Sequence, residues 1–490
     1  MASATASSLP AAKAPVFRRT TTSQTIDSVS SPSTGNVSPT DEGSPFGSPR
    51  ASASSTSLSS MGSDDKETST KDSYGKLIDT YGNEFQVPDF TIKDIRDAIP
   101  KHCFERSTLR SLSYVLRDMV CLATTFYLFH NFNTPEYVPV KAARVVLWGI
   151  YSFMQGLFST GLWVLAHECG HGAFSASKTV NNWVGWILHS SLLVPYFSWQ
   201  MSHSKHHKAT GHMERDMVFV PRTREQFANR IGRFIHELDE LTEETPIATL
   251  IHLIGQQVIG WPNYLLTNVT GHNFHEKQRE GRGKGKHNGF GGGVNHFDPR
   301  SPIYDHKEAF RVVLSDVGLA LAITALVFLG QKFGWNNMAV WYFLPYLWVN
   351  HWLVAITFLQ HTDPSLPHYT PSEWNFVRGC AATIDREFGF IGRHLLHGII
   401  ETHVLHHYVS TIPFYNADEA TEAIKPIMGR HYRSDTSDGP IGFIKAMWKS
   451  ARWCQWVEPT EGAEGPSQGV LFFRNQNGLG TKPATVKPAQ

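Results

Sequence analysis

The 490-residue chain is short of cysteine. Cys103, Cys121, Cys169, Cys380 and Cys454 are its only five, scattered without a paired spacing. That argues against a disulfide scaffold and suits a reduced, cytosol-facing protein. Net charge is scarce as well: 44 Lys and Arg stand against 43 Asp and Glu, for a formal net charge of +1. Nucleic acid is therefore excluded as the main partner. The first 75 residues lack apolar periodicity, and they lack the continuous apolar core of a secretory signal. Rich in Ser, Thr and Pro, they read as a disordered tail. No flavin or dinucleotide fingerprint occurs anywhere in the chain.

What is present begins with long apolar runs, which the polar tail hides in a mean hydropathy of −0.25. A helix needs roughly 20 apolar residues to cross a bilayer. Residues 112–131, 145–166, 311–330 and 338–360 meet that length. Two further stretches, 183–199 and 247–269, are apolar but broken by polar residues, Gly or Pro. The expected organisation is a tail over 1–75, a membrane domain over 76–460 and a flexible C-terminal tail over 461–490. The expected fold is an all-α integral membrane protein, with four transmembrane helices and a cytosolic helical cap.

Histidine supplies the chemistry. His167-Glu-Cys-Gly-His171 opens a histidine-rich region that His203-Ser-Lys-His206-His207 closes, and the second pattern recurs as His403-Val-Leu-His406-His407. Positions three and four apart share a helix face, so each box aims its imidazoles at one spot. Imidazole is a good ligand for iron, zinc or copper. A lone HxxxH on an apolar helix is more often structural, but three boxes at the edges of apolar runs are not accidents of packing. Eight imidazoles exceed what one tetrahedral zinc can use, which points to two metals. A ninth, His361, follows the fourth apolar run directly, against the bland reading of a histidine snorkelling to water. His212, His394 and His397 are weaker candidates, and Cys169 lies off the helical phase of the first box, as a packing residue would. Glu168, Asp216 and Glu401 are candidates to orient ligands from behind.

Boxes that share a centre lie on one side of the membrane. Residues 183–199 therefore dip or lie in the interface, and 247–269 is an interfacial amphipathic segment. Segment 200–310 is rich in Lys and Arg while links 132–144 and 331–337 carry few, which places the boxes and both termini in the cytosol.

Together these boxes resemble the membrane fatty-acid desaturase family. The run from His203 to Asp216, the run Phe358-Leu-Gln-His-Thr-Asp-Pro-Ser-Leu-Pro-His368 and Glu401-Thr-His-Val-Leu-His-His407 are similar to microsomal oleate (delta-12) desaturases, the fungal members above all. The resemblance spans roughly residues 75 to 460. It implies an O2-dependent enzyme of the endoplasmic reticulum with two iron ions, held by His167, His171, His203, His206, His207, His361, His403, His406 and His407. In the acyl-CoA branch of that family an Asn one turn before the equivalent of His361 assists an iron through water. Thr357 stands there in this chain, so that role does not carry over. Plant relatives often have His where this chain has Asp363.

Unactivated methylene C–H bonds are beyond any side-chain acid or base, so the metals must supply the hard chemistry. The implied reaction removes one hydrogen from each of two adjacent carbons of an oleoyl chain, carried on membrane lipid such as phosphatidylcholine, to leave linoleate. The chain has no His-Pro-Gly-Gly of a fused haem domain, so the resemblance implies separate cytochrome b5 and its NADH-dependent reductase. The basic run Lys277 to Lys286 offers charge for such an acidic partner or for lipid headgroups. Trp163, Phe174, Trp186 and Trp199 are candidates to line an acyl tunnel. Neighbouring readings are an omega-3 desaturase or a fatty-acid hydroxylase on the same boxes. A zinc protease reading His-Glu-Cys-Gly-His as HExxH has no use for the other two boxes. A catalytically silent lipid-binding protein has no reason to keep nine histidines.

Overall fold

The computed structural model describes residues 74–232, 245–271 and 294–485. The tail at 1–75 falls outside these apart from its last two residues, as does the basic run Lys277 to Lys286.

A short helix, Ile92–Ala98 (α1), is closed at its start by Thr91 and Asp94 in a reciprocal capping box. Ser107 then caps Thr108–Phe132 (α2) by accepting from the Arg110 amide. Lys141–His171 (α3) runs 31 residues and stops at Gly172, whose φ of +74° is the left-handed conformation glycine adopts without strain. At 1.5 Å per residue α3 is about 46 Å long, against a hydrocarbon core of about 30 Å. The helix is therefore roughly ten residues longer than an upright span needs, and the first box lies within its last five residues.

Lys178–Ser191 (α4) and Tyr196–His207 (α5) follow. They are separated at Leu193, which takes φ +57°, and at Pro195. With 14 and 12 residues, neither reaches across about 30 Å, so the segment does not cross. Arg224–Ile231 (α6) begins on a Thr223–Gln226 capping box. Pro246–Thr267 (α7) starts with Pro at its first turn and ends at Asn268 in the left-handed region. It is not one of the four helices among the described residues that are long and apolar enough to span. Those are α2, α3, His306–Phe333 (whose α-helical part is Ala309–Phe333, α8) and Trp335–His361. The last contains a π-helical turn at Ala339–Phe343 before Leu344–His361 (α9). All four spans expected from the apolar runs are present.

The bundle centres on α3, which packs against α2, α4 and α9. A Cβ on Gly156 would lie 2.2 Å from Trp348 Cβ, so only glycine lets α3 and α9 approach this closely. Gln155 donates to the Leu122 carbonyl of α2 at 2.9 Å, which satisfies a buried amide between two spans.

Beyond α9 the chain builds the cap. Its helices are Phe376–Cys380 (α10), His403–Tyr408 (α11), Phe414–Met428 (α12) and Gly439–Trp453 (α13). The fold is mostly helical, with three small sheets among the described residues that the hydrophobic pattern did not announce. Leu77–Ile78 (β1) pairs with Glu84–Phe85 (β2), and Asp385–Arg386 (β4) runs parallel to Ser434–Asp435 (β5). Val470–Arg474 (β7) is the middle strand between Pro367–Tyr369 (β3) and Trp456–Pro459 (β6). Residues 461–490 were expected to be a flexible tail, and here the structure differs. Every residue of β7 is buried, because a Val-Leu-Phe-Phe run has too much apolar surface to leave in water.

Candidate metal centre

Four elements converge on one point. The C-terminal end of α3 carries His167 and His171, and the last turns of α5 carry His203, His206 and His207. His361 is the final residue of α9, and α11 carries His403, His406 and His407. The first box and His361 lie at the C-terminal ends of candidate spans, while the other two boxes lie on short helices that do not span.

The geometry sorts the imidazoles. Ring nitrogens of His167, His171, His203, His207 and His406 lie within 4.8 Å of one another, and those of His206, His361 and His407 form a second such group. His403 belongs to neither group as a whole, yet it joins the second. Its Nε2 lies 3.1 Å from that of His361 and 3.0 Å from that of His407. Further Nε2–Nε2 separations are 3.0 Å for His167 and His203, 3.2 Å for His203 and His207, and 3.3 Å for His206 and His361. All nine histidines singled out from the sequence are therefore brought together.

Hydrogen bonds behind the rings decide which nitrogens face inward. Asp216 Oδ1 lies 2.7 Å from His206 Nδ1 and also accepts from the amides of Val218 and Phe219. The His206 proton is thus held on Nδ1, which leaves Nε2 a bare lone pair. Thr210 spends its one hydroxyl proton on the His206 carbonyl at 2.8 Å. It must accept from His407 Nδ1 at 3.0 Å, so His407 Nε2 is a lone pair too. Each of the ring-nitrogen contacts at about 3 Å needs either a proton on one of its two nitrogens or a cation that both nitrogens bind. His171 Nε2 and His406 Nε2 are buried without any hydrogen-bond partner, a costly state for a polar atom that lacks a metal. The donor set fits a pair of metal ions. Burial holds His203, His207, His403, His406 and His407 well below the ordinary imidazole pKa. They are neutral and ready to ligate.

Of the three acidic residues expected to orient ligands, only Asp216 does so. Glu168 Oε1 stays 3.8 Å from His167 Nδ1, while its Oε2 accepts from the Phe414 amide at 3.1 Å. Glu401 accepts from the Phe388 amide at 3.0 Å and braces the loop before α11. Thr210 escaped the sequence reading. Its signal was its place four residues after His206, within reach of that carbonyl on the next turn. Asp385 escaped as well: its Oδ1 accepts from the Val404 amide at 2.7 Å, anchoring the first turn of α11.

The remaining candidates separate cleanly. His212 Nδ1 accepts from the Glu214 amide, and His397 Nε2 pairs with Asp118 at 2.8 Å, away from the cluster. His394 is exposed and packs on Phe390. Cys169 is buried in an apolar cluster with Leu165 and Phe174, which is its expected packing role. Trp199 stacks on His203 with ring centroids 4.6 Å apart, and Trp163 on His167 at 5.7 Å. Trp186 instead donates to the Leu314 carbonyl of α8, and Phe174 packs in the α3–α4 cluster. Thr357 turns its hydroxyl back onto the Leu353 carbonyl at 2.8 Å, so it offers the centre nothing.

The comparisons agree with this geometry. The chain is 70% identical over 444 residues to an oleate hydroxylase of Claviceps purpurea, covering 91% of this chain and 93% of that one. It is 45% identical over 385 residues to a delta(12) fatty acid desaturase of Mortierella isabellina, covering 77% and 90%. A delta(12)-fatty-acid desaturase of Arabidopsis thaliana is 40% identical over 391 residues, covering 80% and 93%. A model of a domain of unknown function matches residues 18–125. The fatty acid desaturase model matches residues 143–438, which hold all three boxes, both histidine clusters and most of the spanning bundle: the chain is an oxidoreductase of the fatty acid desaturase family.

Proposed function

We propose that the chain is a delta-12 desaturase that converts oleoyl to linoleoyl chains in membrane lipid. The observation that carries this reading is the convergence of nine imidazoles from four distant elements in a chain whose relatives are named for oleate or for carbon 12. On this reading the nine histidines hold two iron ions. When bound, the irons supply the O2 activation that no side chain can provide. The chain's own part is to hold the ligands, keep Nε2 of His206 and His407 deprotonated, and shield the centre with Trp163 and Trp199. Two electrons per turnover come from cytochrome b5 and its NADH-dependent reductase. The substrate is oleate esterified in phosphatidylcholine, and the membrane is that of the endoplasmic reticulum, with the boxes and both termini in the cytosol.

A second reading has a specific observation behind it. The Claviceps relative, at 70% identity, is named an oleate hydroxylase. The two outcomes share their reactants. An alkane segment, O2, two electrons and two protons yield either an alkene and two waters, or an alcohol and one water. They part after the first hydrogen is lost, when the adjacent carbon either gives up a second hydrogen or the first carbon takes oxygen. Small differences in how the acyl chain is held decide between them.

Expression in a yeast that makes only monounsaturated fatty acids tests both. Gas chromatography of the lipids should show linoleate. A hydroxylated C18 acid in its place selects the second reading, and alpha-linolenate from supplied linoleate would mark an omega-3 enzyme. His206→Ala should abolish any product while the protein still inserts in the membrane. Undiminished product from that variant would remove the metal assignment.

A further inference from the structure

Part of the cap lies lower than the metal ligands. Trp352 stands nine residues before His361 on α9, about 13 Å back along the axis. Phe388 packs on Trp352 with ring centroids 5.3 Å apart, and Phe443 of α13 packs on Phe388 at 4.9 Å. Helix α7 reaches the same level, since a Cβ on Gly260 would meet Val354 at 3.2 Å. The continuous helix Trp335–His361 has 27 residues, or about 40 Å, and about 30 Å of hydrocarbon measured from its far end runs out near residue 355. Phe388, Phe443 and α7 therefore sit at the boundary between acyl chains and headgroups.

Their outward sides are apolar. Phe390 is 70% exposed, Ile441 63%, Ile444 56% and Ile251 of α7 65%. Gly389 and Pro440 abut, with a Cβ on the glycine 3.4 Å from Pro440 Cγ, so Phe390 and Ile441 flank one joint. Helix α13 carries Lys445, Lys449 and Arg452 but no Asp or Glu from Gly439 to Trp453. At 100° per residue these bases lie beside the Ile441–Ile444 stripe, the pattern of a helix resting in a lipid interface. Lys445 does pair with Asp438 at 2.8 Å, but both side chains are more than half exposed, and such a pair yields readily to a phosphate.

We propose that Phe390, Ile441 and Ile444 form a lipid-contact crest, continuous with the exposed face of α7. It inserts into the leaflet on the side of the metal centre and seats Lys445 against anionic headgroups, while Lys449 holds its ammonium 4.9 Å over the Tyr81 ring. Together with the four spans it fixes the height of the metal centre above the acyl chains. The inference holds whether the product is an alkene or an alcohol.

The test uses the full-length protein in nanodiscs of phosphatidylcholine with phosphatidylserine. Cys121→Ser and Cys454→Ser remove the accessible thiols, the other three cysteines being buried. Single cysteines at Phe390, Ile441 and Ile444, and at Lys93 of α1 as a cap control, carry a polarity-sensitive fluorophore. The three crest labels should emit to the blue of the Lys93 label, be quenched by lipids with a shallow nitroxide, and be protected several-fold from aqueous iodide. Iodide quenching equal to that at Lys93 would overturn the proposal. Ile251 on α7 substitutes for any crest position whose variant does not fold. Lys445→Glu should red-shift the Ile444 label in anionic discs, and no shift removes the headgroup contact.

Discussion

Asp216 and Thr210 do their work from outside the histidine boxes, by deciding where two protons sit. Removing the carboxylate with Asp216→Ala frees His206 to rotate or to switch tautomer, and metal affinity should fall about 10- to 100-fold. Metal content after dialysis against a graded chelator measures this. Thr210→Val should weaken retention less, since His407 loses a neutral partner and not a charged one. Thr357→Ala should leave metal content and activity near wild type, because its hydroxyl is already spent on the Leu353 carbonyl. Acid acts on the same atoms. His203, His207, His403, His406 and His407 have depressed pKa values in the fold, against about 6.5 when unfolded. Below pH about 6.5 the unfolded chain binds protons that the metal-free fold does not, so stability is present above that pH and declines as pH falls further. Thermal melts of the metal-free protein from pH 7.5 to 5 should show a Tm that holds down to about pH 6.5 and drops below it, and a flat profile would contradict the buried neutral cluster. The nine histidines themselves were legible from spacing. Their partners were not, because a hydrogen bond to Nδ1 depends on ring rotation, which no spacing encodes.

At the scale of elements, the spans were readable because a bilayer imposes one length and one composition on every helix that crosses it. That 183–199 holds no single spanning helix was readable too, and the structure splits that stretch into α4 and α5, of 14 and 12 residues. Close packing between spans was less visible. Gly156 looks like any small residue in an apolar run, yet a side chain there would drive into Trp348. Gly156→Leu should separate α3 from α9 and cost about 1–3 kcal/mol, read as a lower melting temperature in detergent with a looser metal site. The break between α4 and α5 is of the same kind. Leu193 at φ +57° is an unfavourable backbone for a branched side chain, held because α5 must turn to aim His203 and His207 at α3.

The molecule as a whole closes through its last described strand. β7 joins β3, a few residues after His361, to β6, so the sheet ties the exit of α9 to the end of the chain. Truncation after Gly469 removes Leu471, Phe472 and Phe473 and should expose Tyr369 and Val457, which lie in the apolar clusters those side chains complete, and the cap should lose metal together with its fold. Limited proteolysis of the truncated protein would report this as new cleavage between residues 362 and 400, whereas an intact digestion pattern would make the segment the dispensable tail its position suggests.

By itself the sequence determined that the chain crosses a membrane four times and gathers histidine boxes at one face, because lipid thickness and helical periodicity act on residue type and spacing alone. Only the tertiary structure decided which imidazoles group as five and which with His361, that Asp216 and not Glu168 or Glu401 backs a ligand, and that β7 belongs to the core. Those outcomes depend on angles and distances between residues far apart in the chain, such as His167 and His406 or Leu77 and Phe472. Contacts of that range are set by packing, and no local pattern records them.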